Sequence, residues 1–184
     1  MRHSDKRYFK YADNDTPLGA GMTYLETQDG YAIRQITTNG SQDISSNLLF
    51  PPWGLCLADG YVDYDILGDA IEEISPSEFE AIWKICLSRH ASEWQTSKIA
   101  YPKETPVSGW IEIFFPQGVI VNLGDGTLGV ADYAACRSSA KAEWMYTGHK
   151  ITAIVVGYDE TNHWLLLDHP QVYEEIIVDH RVKY

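Results

Sequence analysis

Five short β-prone runs follow one another after residue 106, and they constrain this chain more than any other feature. Val107 to Phe115, Val119 to Leu123, Thr127 to Asp132, Ile151 to Tyr158 and His163 to Leu167 are rich in β-branched and aromatic residues. Turn formers separate them. Gly118 and Gly124-Asp125-Gly126 permit positive φ, and Asp159-Glu160-Thr161-Asn162 closes the last hairpin. Ala134 to Ala142 is alanine-rich and predicts a short helix between the third and fourth strands. Five strands with a helix after the third is the order of a small β-barrel.

The first half reads differently. Thr23 to Gln28 and Tyr31 to Thr37 flank Asp29-Gly30, a dipeptide suited to a two-residue type I′ hairpin turn. Asn39-Gly40 supplies a second turn, Ser41 to Ser46 a third strand, and Pro51-Pro52-Trp53-Gly54 an irregular crossing. Ser75-Pro76-Ser77-Glu78 combines a hydroxyl cap, a proline at the first helical position and a glutamate three after the cap, which marks a helix start. Phe79, Ile82, Trp83, Cys86, Leu87, His90 and Trp94 recur at three- and four-residue spacings, so one helix over 75–99 is expected to lay its apolar stripe on the hairpin sheet. Two prolines between Tyr101 and Pro106 disfavour helix and suggest a short extended linker. The expected organisation is an α+β, mainly antiparallel chain: an N-terminal domain over 1–101, a linker over 102–106, and a barrel with a C-terminal tail over 107–184.

Charge narrows the partners. The 184 residues carry 26 acidic against 14 basic side chains, a formal net charge of −12, and a field of that sign repels phosphate backbones. Residues 1–75 hold 5 basic and 12 acidic groups, 76–104 hold 4 and 4, and 105–184 hold 5 and 10. Neither half has a basic excess. The cysteines Cys56, Cys86 and Cys136 are odd in number, far apart and without a CxxC pair, which indicates reduced thiols rather than a disulfide framework or a zinc site. The N-terminus lacks an apolar signal segment, and no run approaches the roughly 18 apolar residues that span a bilayer. A cytoplasmic protein without membrane contact is the expectation.

Within the second half, Gly109-x-Ile111-x-Ile113, Gly118-x-x-Val121-x-Leu123, Gly129-Val130, Gly148-x-x-Ile151-x-x-x-Val155, Asp159 and Leu165-x-Leu167 form a spaced pattern. Over residues 109–167 it resembles the S-one type RNA-binding domain, a barrel of the oligonucleotide/oligosaccharide-binding (OB) class. The resemblance implies a nucleic-acid face, and most of that face is replaced here. The family's two aromatic positions correspond to Gln117 and Ile120, its histidine to Asp132, its acidic residue to Asp159, and its arginine to His163 or Trp164. Without stacking rings such a face loses most of its hold on bases. Phe115, one residue out of register, could restore a ring near the turn. The first half, with Tyr24-x-Glu26, Asp29-Gly30-Tyr31-x-x-Arg34-Gln35 and Glu73-Ile74-Ser75-x-x-Glu78-Phe79-x-x-x-Trp83, resembles small acidic bacterial proteins, some of them immunity-like.

Candidate chemistry is sparse. Tyr158, His163, Trp164, Asp168 and His169 cluster in sequence and could bind a metal or pass a proton, but no third ligand at helical spacing accompanies the histidines. Asp179-His180-Arg181 are adjacent and alternate in an extended chain, so they do not make an acid–base pair. Ser138-Ser139 with Lys141 lack a nucleophile elbow, Gly19-Ala20-Gly21 reads as a flexible turn rather than a phosphate cradle, and His90 reads as a partly buried stripe residue. No cofactor is indicated. Trp53, Tyr61, Tyr64, Trp110, Trp144 and Tyr146 fall in loops or strand edges, where amphipathic rings suit protein recognition. The reading is a non-enzymatic interaction protein with a basic protein partner, and the candidate binding residues are Phe115, Gln117, Ile120, Asp132, Tyr158, His163 and Trp164. A weak single-stranded RNA-binding module is the second reading, and an enzyme with a His/Asp site over 158–169 the third.

Overall fold

The computed structural model describes residues 5–58, 61–62 and 68–177. Tyr64 and Asp179-His180-Arg181 lie outside them. The fold is α+β with mostly antiparallel strands, and it divides into two compact units, 1–89 and 90–184.

In the first unit, β1 (Lys6–Thr16), β2 (Gly19–Gln28), β3 (Tyr31–Thr38), β4 (Asp43–Ser45) and β5 (Ile71–Glu73) form one antiparallel sheet in the order β4-β3-β2-β1-β5. Asp29 and Gly30 link β2 to β3 with φ of 52° and 86°, the left-handed pair that a type I′ turn needs. Strands β1 and β5 escape sequence reading, because β1 is polar along much of its length and β5 is three residues long. Residues 19–21 are not a flexible turn: they open β2, paired to β1.

Helix α1 (Pro76–Arg89) starts where the cap predicts, with the Ser75 hydroxyl accepting the Glu78 amide at 3.1 Å. Its buried face, Phe79, Trp83 and Cys86, packs on Ile36 and Ile74, flanked by Tyr8 and Tyr24. Each large side chain buried there contributes roughly 1.5–3 kcal/mol. A charged network lies under the same helix. Glu26 is fully buried, and its carboxylate accepts from Arg34, from Lys6 Nζ at 3.0 Å and from the Tyr8 hydroxyl at 3.1 Å. Arg34 also donates to Glu80 on α1, and its guanidinium lies 5.0 Å from the Phe79 and Trp83 ring centres. Burial works to raise the Glu26 pKa, but the bonds from Arg34 and Lys6 outweigh it and hold the carboxyl below its ordinary value.

The single helix expected over 75–99 is two helices. It breaks at His90, which is exposed rather than partly buried, and α2 (Ala91–Ala100) belongs to the second unit. Trp94, assigned by spacing to the hairpin sheet, is buried in the barrel core. The three- and four-residue spacing runs straight through the break, so periodicity alone does not reveal it.

The second unit holds β6 (Pro106–Phe115), β7 (Gly118–Asn122), β8 (Leu128–Ala131), α3 (Tyr133–Ser139), β9 (His149–Asp159) and β10 (Trp164–Ile176). The strands pair in the order β10-β8-β7-β6-β9, and β9 pairs back to β10, which closes the barrel. Among the described residues only β8 and β10 run parallel. Ile111, Val119, Val121, Ile151, Val155 and Leu165 fill the interior, and Trp94 of α2 packs against them. Gly109 shows why glycine recurs in this half: a Cβ there would stand 2.2 Å from the Asn122 carbonyl oxygen of the neighbouring strand. The segment 102–106 is bound rather than loose, since the Glu104 amide donates to the Val155 carbonyl at 2.7 Å and the Val155 amide to the Thr105 carbonyl at 3.0 Å.

Strand β10 also outruns its expectation. The sequence pattern ends this strand at Leu167, yet pairing to β9 resumes at Gln171 and continues to Ile176. An irregularity absorbs the proline: the register shifts between Asp168 and Gln171, with His169 at φ 52°. Among the described residues no helix is long and apolar enough to cross a membrane.

Candidate functional site

The candidate residues of the second half fall into separate places. Ile120 at 0% and Trp164 at 1% exposure are fully inside. Phe115 is half-buried near the end of β6, its ring centre 6.4 Å from that of Trp164, and Gln117 is half-buried in the turn that follows. Asp132 is exposed and caps α3, its carboxylate accepting the Ala135 amide at 2.7 Å. That carboxylate serves the helix.

Tyr158 and His163 do meet, through a residue not counted among the candidates. The Trp94 ring lies flat on the His163 imidazole, centroids 5.1 Å apart and planes 9° apart, and edge-on to Tyr158 at 6.0 Å. Trp94 Nε1 donates to Glu160 at 2.7 Å, and Lys98 Nζ donates to the other Glu160 oxygen at 2.9 Å. These donors hold the Glu160 carboxyl below its ordinary range. The Tyr158 hydroxyl donates to the Tyr101 carbonyl at 3.2 Å. His163 sits at φ 56° after the Asp159 turn, whose carboxylate accepts the amides of Thr161 and Asn162. Its Nδ1 is buried without a hydrogen bond, and burial lowers the pKa of the ring. Sequence reasoning missed Trp94 and Lys98 because helix α2 lies about 60 residues earlier in the chain, and Glu160, three residues before His163, reads only as a turn residue until those two donors meet it. Chemically the cluster fastens α2 to the β9–β10 hairpin, through the bonds of Trp94 and Lys98 to Glu160 and of Tyr158 to the Tyr101 carbonyl.

Other sequence candidates resolve into local structure. The hydroxyls of Ser138 and Ser139 donate to the carbonyls of Ala135 and Cys136, and Lys141 lies over Trp144. Asp168 and His169 are exposed. Burial pushes the thiol of Cys86 up to about 11 and that of Cys136 to about 12, which leaves both protonated and inert near neutrality. Among the described residues no group of three His, Cys, Asp or Glu is placed to hold a metal ion.

The outer side of β6, β9 and β10 is partly open. A shallow depression of about 370 Å³ is lined by Pro106, Ser108, Thr152, Ile154 and His169 among others. On the same strands Val156, Leu166 and Tyr173 are 47%, 37% and 43% exposed. The first unit contributes exposed rings at Tyr31, Trp53 and Tyr61. Comparison with protein-family models gives no match to this chain, and a search of curated proteins gives none either.

Proposed function

We propose that this chain is a non-enzymatic interaction protein whose partner is a basic protein. One observation carries the reading: where the resembling barrels meet nucleic acid, the corresponding Ile120 and Trp164 are buried, and exposed apolar side chains lie instead on β9 and β10. A ring shut inside cannot stack on a base. The strand order, the parallel β8–β10 pair and the helix between β8 and β9 favour an OB-type reading of the barrel, which by itself says nothing about ligand. The charge of −12 attracts cationic partners and speeds their encounter.

The test is binding of a purified lysine- and arginine-rich polypeptide at about 50 mM salt, where long-range charge attraction is little screened. Saturable binding that weakens as salt rises is expected. Absence of binding to the polypeptide under those conditions contradicts the proposal.

A further inference from the structure

Asn39 differs from the other asparagines of the chain. Of those at 14, 39, 47, 122 and 162, it alone precedes a glycine. Asn47, Asn122 and Asn162 are buried and lead into Leu48, Leu123 and His163, while Asn14 is exposed but lies within β1 before Asp15. Asn39 and Gly40 are both exposed, in the turn between β3 and β4. Gly40 sits at φ 89° and has nothing within 4 Å of the place a Cβ would take, so no side chain crowds the approach of its amide nitrogen to Asn39 Cγ.

The turn supplies more than the dipeptide does. Asn39 Oδ1 accepts three hydrogen bonds, from the Ser41 amide at 3.0 Å, the Ser41 hydroxyl at 2.9 Å and the Gln42 amide at 2.9 Å. Among the described residues Nδ2 has one long bond, to the Leu18 carbonyl at 3.4 Å. The Gly40 amide is itself held, donating to the Thr38 hydroxyl at 3.1 Å. When a nucleophile adds to an amide carbon, its oxygen becomes an anion. Donors already aimed at that oxygen stabilise the anion more than the neutral amide, which lowers the barrier.

We infer that Asn39 is a modification site at which the folded chain converts its own asparagine to aspartate and isoaspartate. Hydroxide takes the Gly40 amide proton, and the Gly40 nitrogen bonds to Asn39 Cγ. The Cγ–Nδ2 bond then breaks, and Nδ2 takes a proton from water and leaves as ammonia. Water opens the resulting cyclic imide. Addition at Cγ gives aspartate, and addition at the Asn39 backbone carbonyl carbon gives isoaspartate, whose main chain runs through the side chain and is longer by one carbon.

That lengthening acts on the fold. Strand β4 is three residues long and pairs with β3 through Thr38↔Asp43, Thr37↔Ile44 and Ile36↔Ser45, a register that the turn sets. Asp43 pairs with Arg89 at the end of α1 and accepts from the Cys86 thiol at 3.7 Å. A longer turn loosens β4 and, through Asp43, its hold on α1. This inference stands apart from the proposed partner.

The test incubates the full chain in mildly alkaline buffer, folded and in concentrated urea, and maps its peptides by mass spectrometry with isoaspartate resolved from aspartate. The folded chain should convert Asn39 ahead of the other asparagines and at least as fast as the unfolded one, and its isoaspartate form should exchange the β4 amides faster. Ser41→Ala removes one donor and should slow conversion about two- to tenfold in the folded chain, the worth of one hydrogen bond, without changing the rate in urea. Ser41→Thr, which keeps the hydroxyl, should convert as the unaltered protein does. If Ser41→Ala fails to fold, the comparison of the folded and unfolded unaltered chain decides the matter. An Asn39 still intact in the folded chain after the unfolded chain has converted, or equal rates for folded Ser41→Ala and the unaltered protein, overturns the inference.

Discussion

The imidazole of His163 lies parallel to the indole of Trp94 at a centroid separation of 5.1 Å, so a single proton can be read by a neighbouring fluorophore. Burial lowers the pKa of His163 in the folded protein, helped by Lys98 and His90 and opposed by Glu160 and Asp159. A depressed histidine is neutral when folded and binds more protons when unfolded. Its contribution to stability is therefore complete above the ordinary value of about 6.5 and is lost as pH falls from there toward the lowered native pKa. His163→Gln should flatten the stability–pH curve in that window, measured by urea titration with tryptophan emission as the signal.

Glu26 and Arg34 make a second prediction. Removing the guanidinium leaves the buried carboxylate with only the half-exposed Lys6 as a counter-charge, so Arg34→Met should cost about 3–5 kcal/mol near neutral pH. With its main partner gone, burial pushes the Glu26 carboxyl up instead of down. The penalty should then shrink as the pH falls and Glu26 takes a proton, and Glu26→Gln/Arg34→Met should be less harmful than Arg34→Met alone. Denaturant midpoints measured at neutral and acid pH check both statements.

Gly109→Ala tests the close approach of β6 to β7. The added methyl meets the Asn122 carbonyl at 2.2 Å, and because that atom is backbone the strands must part. A loss of about 1–3 kcal/mol in the second unit is expected, seen as a lowered unfolding midpoint. No loss would mean that β6 and β7 can separate at that point without cost.

Glu160→Gln tests the fastening of α2. Lys98 and Trp94 donate to separate oxygens of this carboxylate, and the amide can accept at only one of them. Because the site is largely exposed, the loss of stability should be small, but the amides of α2 should exchange hydrogen faster than those of the barrel strands. Unchanged exchange along α2 would show that Trp94 burial alone holds the helix.

The barrel was legible because its signals are local. Spaced glycines answer close backbone approaches such as Gly109 on Asn122, and the turns at Asp29-Gly30 and Asp159–Asn162 carry their own side-chain chemistry. The Ser75 cap was legible for the same reason. What stayed hidden depends on distant partners. The break at His90 divides a continuous apolar stripe between two cores, and strand β10 continues past Pro170 only because β9 is long enough to pair with it again. Trp94 and Lys98 meet Glu160 and His163 across some 60 residues, and the bridge between Tyr31 and Tyr61 joins segments about 30 residues apart. No short-range pattern encodes such meetings.

The most direct measurement is anisotropy of a labelled single-stranded RNA oligonucleotide titrated with the full chain at about 50 mM salt, where phosphate contacts are strongest. A protein whose charge is −12, and whose Ile120 and Trp164 are buried, should leave the signal flat. A saturable rise that collapses as salt is added would contradict the proposal and make the barrel an RNA-binding module.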